Sequence, residues 1–131
     1  MKKYTKSLKV RSYELDAQGH VNYAVYLSYL EYARVAIMEE LGLPFQDFIK
    51  QGKYIVIAEI NLKYRAPATL GDELEITLES IKAGKTSLTF KQEIFNKRDG
   101  KIVLDAQLVA VFINRKGKPI PLDEGFKRAF F

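Results

Sequence analysis

The 131-residue chain contains no cysteine, no tryptophan, four prolines and a single histidine, His20. Without cysteine there is no disulfide framework, no thiolate nucleophile and no cysteine zinc site; one histidine excludes a histidine-rich cage as well, so no metal is expected. The longest stretch free of Asp, Glu, Lys and Arg runs from Ala17 to Leu30. Its 14 residues, with Gln18, His20, Asn22 and Ser28 among them, are too few and too polar to span a bilayer. The opening Met1-Lys2-Lys3 is basic, but Lys6, Lys9 and Arg11 fall where the apolar part of an export signal would follow, so a reducing cytoplasm is the expected compartment. Repeats, low-complexity tracts and Pro/Gly-rich linkers are lacking too, which leaves one domain over residues 1–131.

What is present is an ordinary globular balance, 47% apolar and 28% charged, enough for one core that buries about two-thirds of the surface an unfolded chain exposes. The net charge is +5, and Lys2, Lys3, Lys6, Lys9 and Arg11 supply five of the 21 basic residues. Later charges alternate in sign, as in Lys91-Gln92-Glu93 and Lys97-Arg98-Asp99, and no nucleic-acid recognition element accompanies them. The basic excess therefore reads first as solubility, second as attraction for a phosphate-bearing small ligand, and nucleic acid is not expected.

Periodicity supplies the architecture. From Tyr23 to Leu41 one helical stripe reads Tyr23, Tyr26, Leu27, Leu30, Ala33, Ile37, Met38 and Leu41, and Val25, Tyr29, Tyr32 and Ala36 form a second. Gly42 and Pro44 stop the helix. A helix apolar around most of its circumference must be wrapped by a sheet or wedged between subunits. Tyr54–Arg65 alternates Val56, Ala58, Ile60, Leu62 and Tyr64 against Glu59, Asn61, Lys63 and Arg65, the period of a half-buried strand. Glu73–Glu79 repeats it; Thr86–Phe95 and Lys101–Ile113 follow, joined by a turn ending Asp99-Gly100. With Ser7–Glu14 as a strand ahead of the helix, the order is strand, helix, four strands. That order predicts an antiparallel α+β domain.

Gly84-Lys85-Thr86 resembles the end of a phosphate-binding loop, but position 79 is Glu where glycine is required, and a strand follows in place of a helix. The dense constellation lies elsewhere, from Tyr13 to Tyr26, at the head of the greasy helix. There Asp16, Gly19, His20 and Asn22 precede a helix terminus with unpaired amides and partial positive charge. With Asn22 as cap and the helix beginning near Tyr23, first-turn amides are placed to hold a developing oxyanion, a role in which one donor is worth on the order of 3 kcal/mol. Asp16 is then nucleophile or general base for water. The same residues admit a purely structural reading, with Asp16 satisfying loop amides, Asn22 capping and His20 hydrogen-bonded in place. Glu31, mid-helix among apolar neighbours, faces the site, pairs with Arg34 or Arg65, or reaches solvent.

Asp16-Ala17-Gln18-Gly19-His20-Val21-Asn22-Tyr23, followed by Tyr26, Tyr29, Glu31 and Ala33-Arg34, resembles the 4-hydroxybenzoyl-CoA thioesterase-like branch of the hotdog-fold acyl-CoA thioesterases. Tyr64-Arg65-Ala66-Pro67-Ala68, Gly71-Asp72-Glu73-Leu74 and Gly117-Lys118-Pro119-Ile120-Pro121-Leu122 support the likeness, which covers nearly the whole chain. The resemblance implies a curved antiparallel sheet of about five strands wrapped around one long central helix, and homodimers assembling into homotetramers with active sites at the dimer interface. It implies Asp16 as the catalytic carboxylate, the Tyr23 backbone amide as the group polarising the thioester carbonyl, and His20 and Asn22 assisting. Asn22-Tyr23 departs from the Asn-Asn pair common in the acyl-ACP and long-chain acyl-CoA relatives. The substrate expected is an acyl-CoA, with Lys63 and Arg65 toward its phosphates and Tyr26 and Tyr64 as walls of the acyl slot; no cofactor is implied. The alternatives are an acyl-ACP thioesterase and a non-catalytic acyl-CoA-binding hotdog domain.

Overall fold

The apolar segment after Tyr23 does form α1 (Val25–Glu40), the one long helix among the described residues, in a computed structural model that describes residues 2–131. Its buried residues, Tyr26, Tyr29, Leu30, Ala33, Ile37 and Met38, recur at helical spacing and make a single face. The two stripes expected from the sequence are therefore regrouped: Tyr29 joins the buried face, whereas Leu27 and Tyr32 remain 43% and 44% exposed. The helix is covered on one side and bare on the other. It ends as expected, with Gly42 at φ +73° and the Leu43 N–H donating to the Met38 carbonyl at 2.8 Å.

Five strands cover the buried face: β1 (Lys3–Lys9), β2 (Tyr54–Tyr64), β3 (Glu73–Ala83), β4 (Ser87–Asn96) and β5 (Ile102–Ile113), arranged β1-β3-β4-β5-β2 with every neighbouring pair antiparallel. The first strand lies earlier than the expected Ser7–Glu14. Its register sets Lys3 opposite Glu79 and Lys9 opposite Glu73, which draws Lys3–Lys9 into the ladder and neutralises part of the basic N-terminal run. Beyond it the Arg11 N–H donates to Glu14 Oε1 at 2.8 Å, turning Ser12–Glu14 into a short 3₁₀ turn instead of strand.

The inward positions of β4 and β5 alternate as expected, Leu88, Phe90, Gln92 and Ile94 all being buried. The β2 strand does not follow the simple alternation. A bulge between Ile57 and Glu59 inserts one residue, so Ile55 and Leu62, an odd number of positions apart, both pack on the core. As the last strand of the sheet it is exposed over most of its length, Val56, Ile57 and Ile60 included, where the sequence suggested a half-buried strand.

Two short helices were not expected. α2 (Phe45–Lys50) follows Pro44 directly, and α3 (Glu124–Phe130) is capped by Asp123, whose side chain accepts the Phe126 N–H at 3.1 Å. Phe126 and Phe130 of α3 are fully buried and stack edge-on with Phe90 and Phe112. The interior forms two apolar clusters, one around the first half of α1 with Ile76, Ile94 and Leu104, the other around its second half with Phe90, Phe112 and α3. Between them, on the helix and on β4, stand Arg34 and Gln92. The guanidinium donates to Gln92 Oε1 at 2.8 Å and Gln92 Nε2 to the Leu30 carbonyl at 3.2 Å.

Candidate active site

The segment ahead of α1 is a tight hairpin, closed by the Leu15–Val21 bridge and turned at Gly19, whose φ of +80° favours glycine. At its tip the Asp16 N–H donates to the His20 carbonyl at 2.7 Å, while Asp16 Oδ1 accepts from the Gln18 and His20 amides at 2.9 and 3.2 Å. The carboxylate thus shapes its own turn through one oxygen and is exposed in the single chain. The hairpin is docked by the Val21 N–H on the Ala68 carbonyl at 2.9 Å and by the His20–Thr69 bridge.

The helix head differs from expectation by two residues. Asn22 is not the cap of α1; Ala24 is, without any side-chain bond, and Tyr23-Ala24 form a turn ahead of Val25. Asn22 still does a capping job one step earlier: its Oδ1 accepts the Ala24 N–H and its carbonyl the Val25 N–H, both at 2.9 Å. The Asn22 N–H is itself held by the Glu14 carbonyl at 2.9 Å. Along the backbone from Val21 to Val25, every N–H but one is therefore satisfied. The exception, among the described residues, is Tyr23.

Aromatic side chains brace this head from below. Tyr64 donates to the Tyr23 carbonyl at 2.9 Å, and its ring lies 5.8 Å from Tyr26, which in turn meets Tyr29 edge-on at 5.7 Å. Tyr29 donates to Glu14 Oε1 at 2.8 Å, and Glu14 also holds Arg11. Burial pushes the Tyr26 phenol up to about 12; the Ala68 backbone opposes this, and the charges of Tyr64, Asp72 and Asp16 add to it. Asp16 and Tyr64 therefore each lie within electrostatic reach of Tyr26.

Lys63 and Arg65 lie elsewhere. Alternation along β2 turns them away from Tyr64, and Lys63 lines a polar groove on the outer face of the sheet with Glu59, Asn61, Asp105 and Gln107. The Arg65 guanidinium is paired with Asp105 Oδ2 at 2.9 and 3.3 Å. The expected site residues thus form one group at the helix head, namely Asp16, His20, Asn22, Tyr23, Tyr26 and Tyr64, and a second, separate group, Lys63 and Arg65.

Three features escaped the sequence reading. Glu14 ties the hairpin to Tyr29. Asp72, buried, accepts from the Thr69 N–H at 3.0 Å, Asn96 at 2.9 Å and Arg98, which fixes the loop that receives His20 and Val21. Burial pushes the Asp72 carboxyl up, but these bonds and the Arg98 charge outweigh it and hold the group below its ordinary value. The third feature is a cavity of about 310 Å³ beside the second half of α1, which Tyr26 and Tyr64 do not line. Gln92 and Asn96 are the polar residues in the otherwise apolar inward row of β4, and neither lines this cavity.

A single antiparallel sheet laid over one long helix is the architecture of the hotdog thioesterases. A 1,4-dihydroxy-2-naphthoyl-CoA thioesterase from Synechocystis shares the fold with a TM-score of 0.93 at 22% identity, over 98% of this chain and 96% of that one. Residues 10–130 match the Thioesterase-like superfamily, and the chain belongs to it. It is 38% identical to a long-chain acyl-CoA thioesterase of Escherichia coli over 109 residues, 83% of this chain and 82% of the relative. It is also 28% identical to a chloroplastic acyl-acyl carrier protein thioesterase of Arabidopsis thaliana over 123 residues, 94% of this chain. The chain spans 65% of the length of that plant protein and 60% of a second one like it. No helix among the described residues is long and apolar enough to cross a membrane.

Proposed function

We propose that the protein hydrolyses an acyl-CoA thioester to the free acid and coenzyme A at the head of α1. The observation that carries this reading is the unpartnered Tyr23 N–H in a run of satisfied amides, on the segment that also bears Asp16. The thioester carbonyl accepts from that N–H, which stabilises negative charge as the carbon becomes tetrahedral. In one route an Asp16 oxygen attacks the carbonyl carbon, the carbon–sulfur bond breaks, the thiolate takes a proton from water, and water then hydrolyses the mixed anhydride. In the other, Asp16 removes a proton from a water that attacks directly. His20, on the same hairpin, assists by contacting the leaving group or the water, and Asn22 keeps the Tyr23 amide oriented.

Membership of the superfamily and the acyl-CoA relatives support this chemistry. The plant relatives support a second substrate form, an acyl-ACP, in which the same thioester arrives on a carrier protein. Coenzyme A would place phosphates near Lys63 and Arg65, where they compete with Asp105 for the guanidinium. The protein works as a homodimer joined along the free β2 edge, with Val56, Ile57 and Ile60 covered, and dimers pair into a homotetramer in the cytoplasm.

A panel of acyl-CoA and acyl-ACP substrates with detection of free thiol tests the activity: release from acyl-CoA is expected, and release from neither substrate class would leave a non-catalytic acyl-CoA-binding domain. Single turnover in ¹⁸O-water separates the routes, since attack by Asp16 leaves label in its carboxylate. Equal affinity for acyl-pantetheine and acyl-CoA would exclude the phosphate contacts. Sedimentation of wild type and Ile60→Glu tests the dimer; an unchanged mass would exclude the β2 edge.

A further inference from the structure

Seven exposed basic side chains gather at the end of the sheet away from Asp16 and Tyr23. The β3–β4 junction carries Lys82 and Lys85, the turn after β5 carries Arg115, Lys116 and Lys118, and α3 carries Lys127 and Arg128. Backbone bonds bring these three segments together. The Phe112 N–H donates to the Thr86 carbonyl and the Leu122 N–H to the Lys85 carbonyl, both at 3.0 Å, while Ile113 pairs with Pro119. The α3 segment is tied down by Lys53 on Asp123 at 3.0 Å and by the Tyr4 hydroxyl donating to the Ala129 carbonyl at 2.6 Å. Glu124 is the one acid on the three segments, and among the described residues none of the seven cations has a carboxylate within 4 Å. By contrast, Lys3 and Lys9 of β1 stand opposite Glu79 and Glu73, and Lys97 at the far end of the sheet meets Glu73 at 3.5 Å.

Unanswered charge spread over three segments, with no pocket among them, fits an extended anionic surface better than a single small ligand. Neither the cavity beside α1 nor the groove at Lys63 is lined by any of the seven, and none of them lies on β2, the edge assigned above to the dimer. Five of the seven are lysines, whose flexible stems reach independently and impose no fixed geometry on a partner, as the planar fork of arginine does. Among them stands an aromatic side chain, Phe131, 40% exposed, its N–H bonded to the Lys127 carbonyl at 2.8 Å. A cationic fringe around an apolar ring settles at a headgroup boundary, the charges meeting lipid phosphates and the ring the first acyl carbons. Clusters of about four to eight Lys and Arg hold a protein on an anionic leaflet, each residue contributing about fivefold in affinity. We propose that this end of the molecule docks on an anionic lipid leaflet, with Phe131 set among the headgroups. The 16 residues of α1 rise about 24 Å, so the docked chain keeps Asp16 and Tyr23 on the water side. The inference goes beyond the thioesterase reading and does not depend on it.

Co-sedimentation of the full chain with vesicles tests this, using phosphatidylcholine alone and phosphatidylcholine with about one-third phosphatidylglycerol at about 0.1 M salt. Binding to the mixed vesicles, none to phosphatidylcholine, and release at about 0.5 M salt are expected. Lys116→Ser combined with Lys118→Ser lowers the partition coefficient about thirtyfold, at about fivefold per cation. The bonds that shape that turn run through Asn114 and the backbone, so both substitutions leave it intact. Lys127→Gln combined with Arg128→Gln gives a similar loss from α3 and keeps the test available if the first pair perturbs folding. Lys97→Ser combined with Lys101→Ser removes the same charge from the opposite end of the sheet and changes the partition less than about threefold. Equal losses from the two ends would overturn the proposal, because net charge and not this surface would then do the binding. So would equal binding to both vesicle compositions, binding to neither, or an acidic carrier protein or RNA that displaces the chain from mixed vesicles and loses its own affinity in the Lys116, Lys118 variant.

Discussion

Replacing Asp16 by Asn and by Ala separates its chemistry from its structural work. In the hairpin, Asp16 Oδ1 accepts two backbone amides, from Gln18 and His20, and the side chain is exposed. Asparagine retains that oxygen, so Asp16→Asn keeps both bonds and its melting temperature stays near that of wild type. Alanine loses both, at about 1–2 kcal/mol together, which for a domain of this size lowers the melting temperature by about 3–8 °C. Chemistry follows the opposite logic. Asparagine is neither nucleophile nor base, so Asp16→Asn lowers kcat by about 10² to 10⁴, equivalent to about 2.7–5.4 kcal/mol of barrier, with substrate affinity largely kept. Initial rates of thiol release, read beside calorimetric melts of the three proteins, make the comparison. Wild-type turnover in a stably folded Asp16→Asn would refute the reasoning, because Asp16 would then be a turn residue and nothing more.

Tyr64→Phe removes the bond to the Tyr23 carbonyl at a cost of about 0.5–1.5 kcal/mol and loosens the amide that receives the substrate oxygen. Its kcat falls, by less than in Asp16→Asn; an unchanged kcat would detach Tyr64 from the site. Gln92→Leu strips Arg34 of its acceptor and costs about 1–3 kcal/mol in denaturant melts, whereas no loss would mean that the guanidinium finds water instead. Asp72 and Asp123 are each pushed up by burial and pulled further down by their hydrogen bonds and by Arg98 and Lys53, so their folded pKa values lie below the unfolded one. Their contribution is complete above the unfolded carboxylate value of about 3.9 and is lost as pH falls through the folded values. Melting temperatures of Asp72→Asn and wild type therefore converge as the solution is acidified toward pH 2, and a gap that stays constant would exclude the ionised carboxylate as its source.

The long helix and strands β2 to β5 were legible because each carries a sustained period, over seven residues in Glu73–Glu79 and over ten or more in the others. The stop at Gly42 and the turn at Asp99-Gly100 were legible because φ near +70° leaves few choices of residue. What was not legible had shorter or non-local causes. α3 is seven residues long, less than two full turns, and its Phe126 and Phe130 acquire meaning only against Phe90 and Phe112, far away in sequence. The β2 bulge leaves no mark in composition, so one inserted position moved Val56 off the face assigned to it. At the site, residue types and order placed Asp16, His20, Asn22, Tyr23, Tyr26 and Tyr64 together. The helix start slipped from Tyr23 to Val25 because Asn22 closes a local turn before the helix begins. Lys63 and Arg65 were expected toward the phosphates of coenzyme A; their place on the opposite side of β2 from Tyr64, with Arg65 paired to Asp105, was not legible, because charge carries no information about which face of a strand a side chain occupies.

The border strand β2 has one further bearing, on how the molecule behaves in a tube. Edge strands in monomers are ordinarily blunted by lysines, prolines or brevity. This one is eleven residues long, without proline, and carries one lysine and one glutamate. A solitary chain thus presents a sticky hem to any stray β-segment, and in the dimer proposed above its protection rises by mass action with the amount of like chain around it. Dilution, more than heat, is then the stress to guard against, and loss on storage would set in at low concentration first.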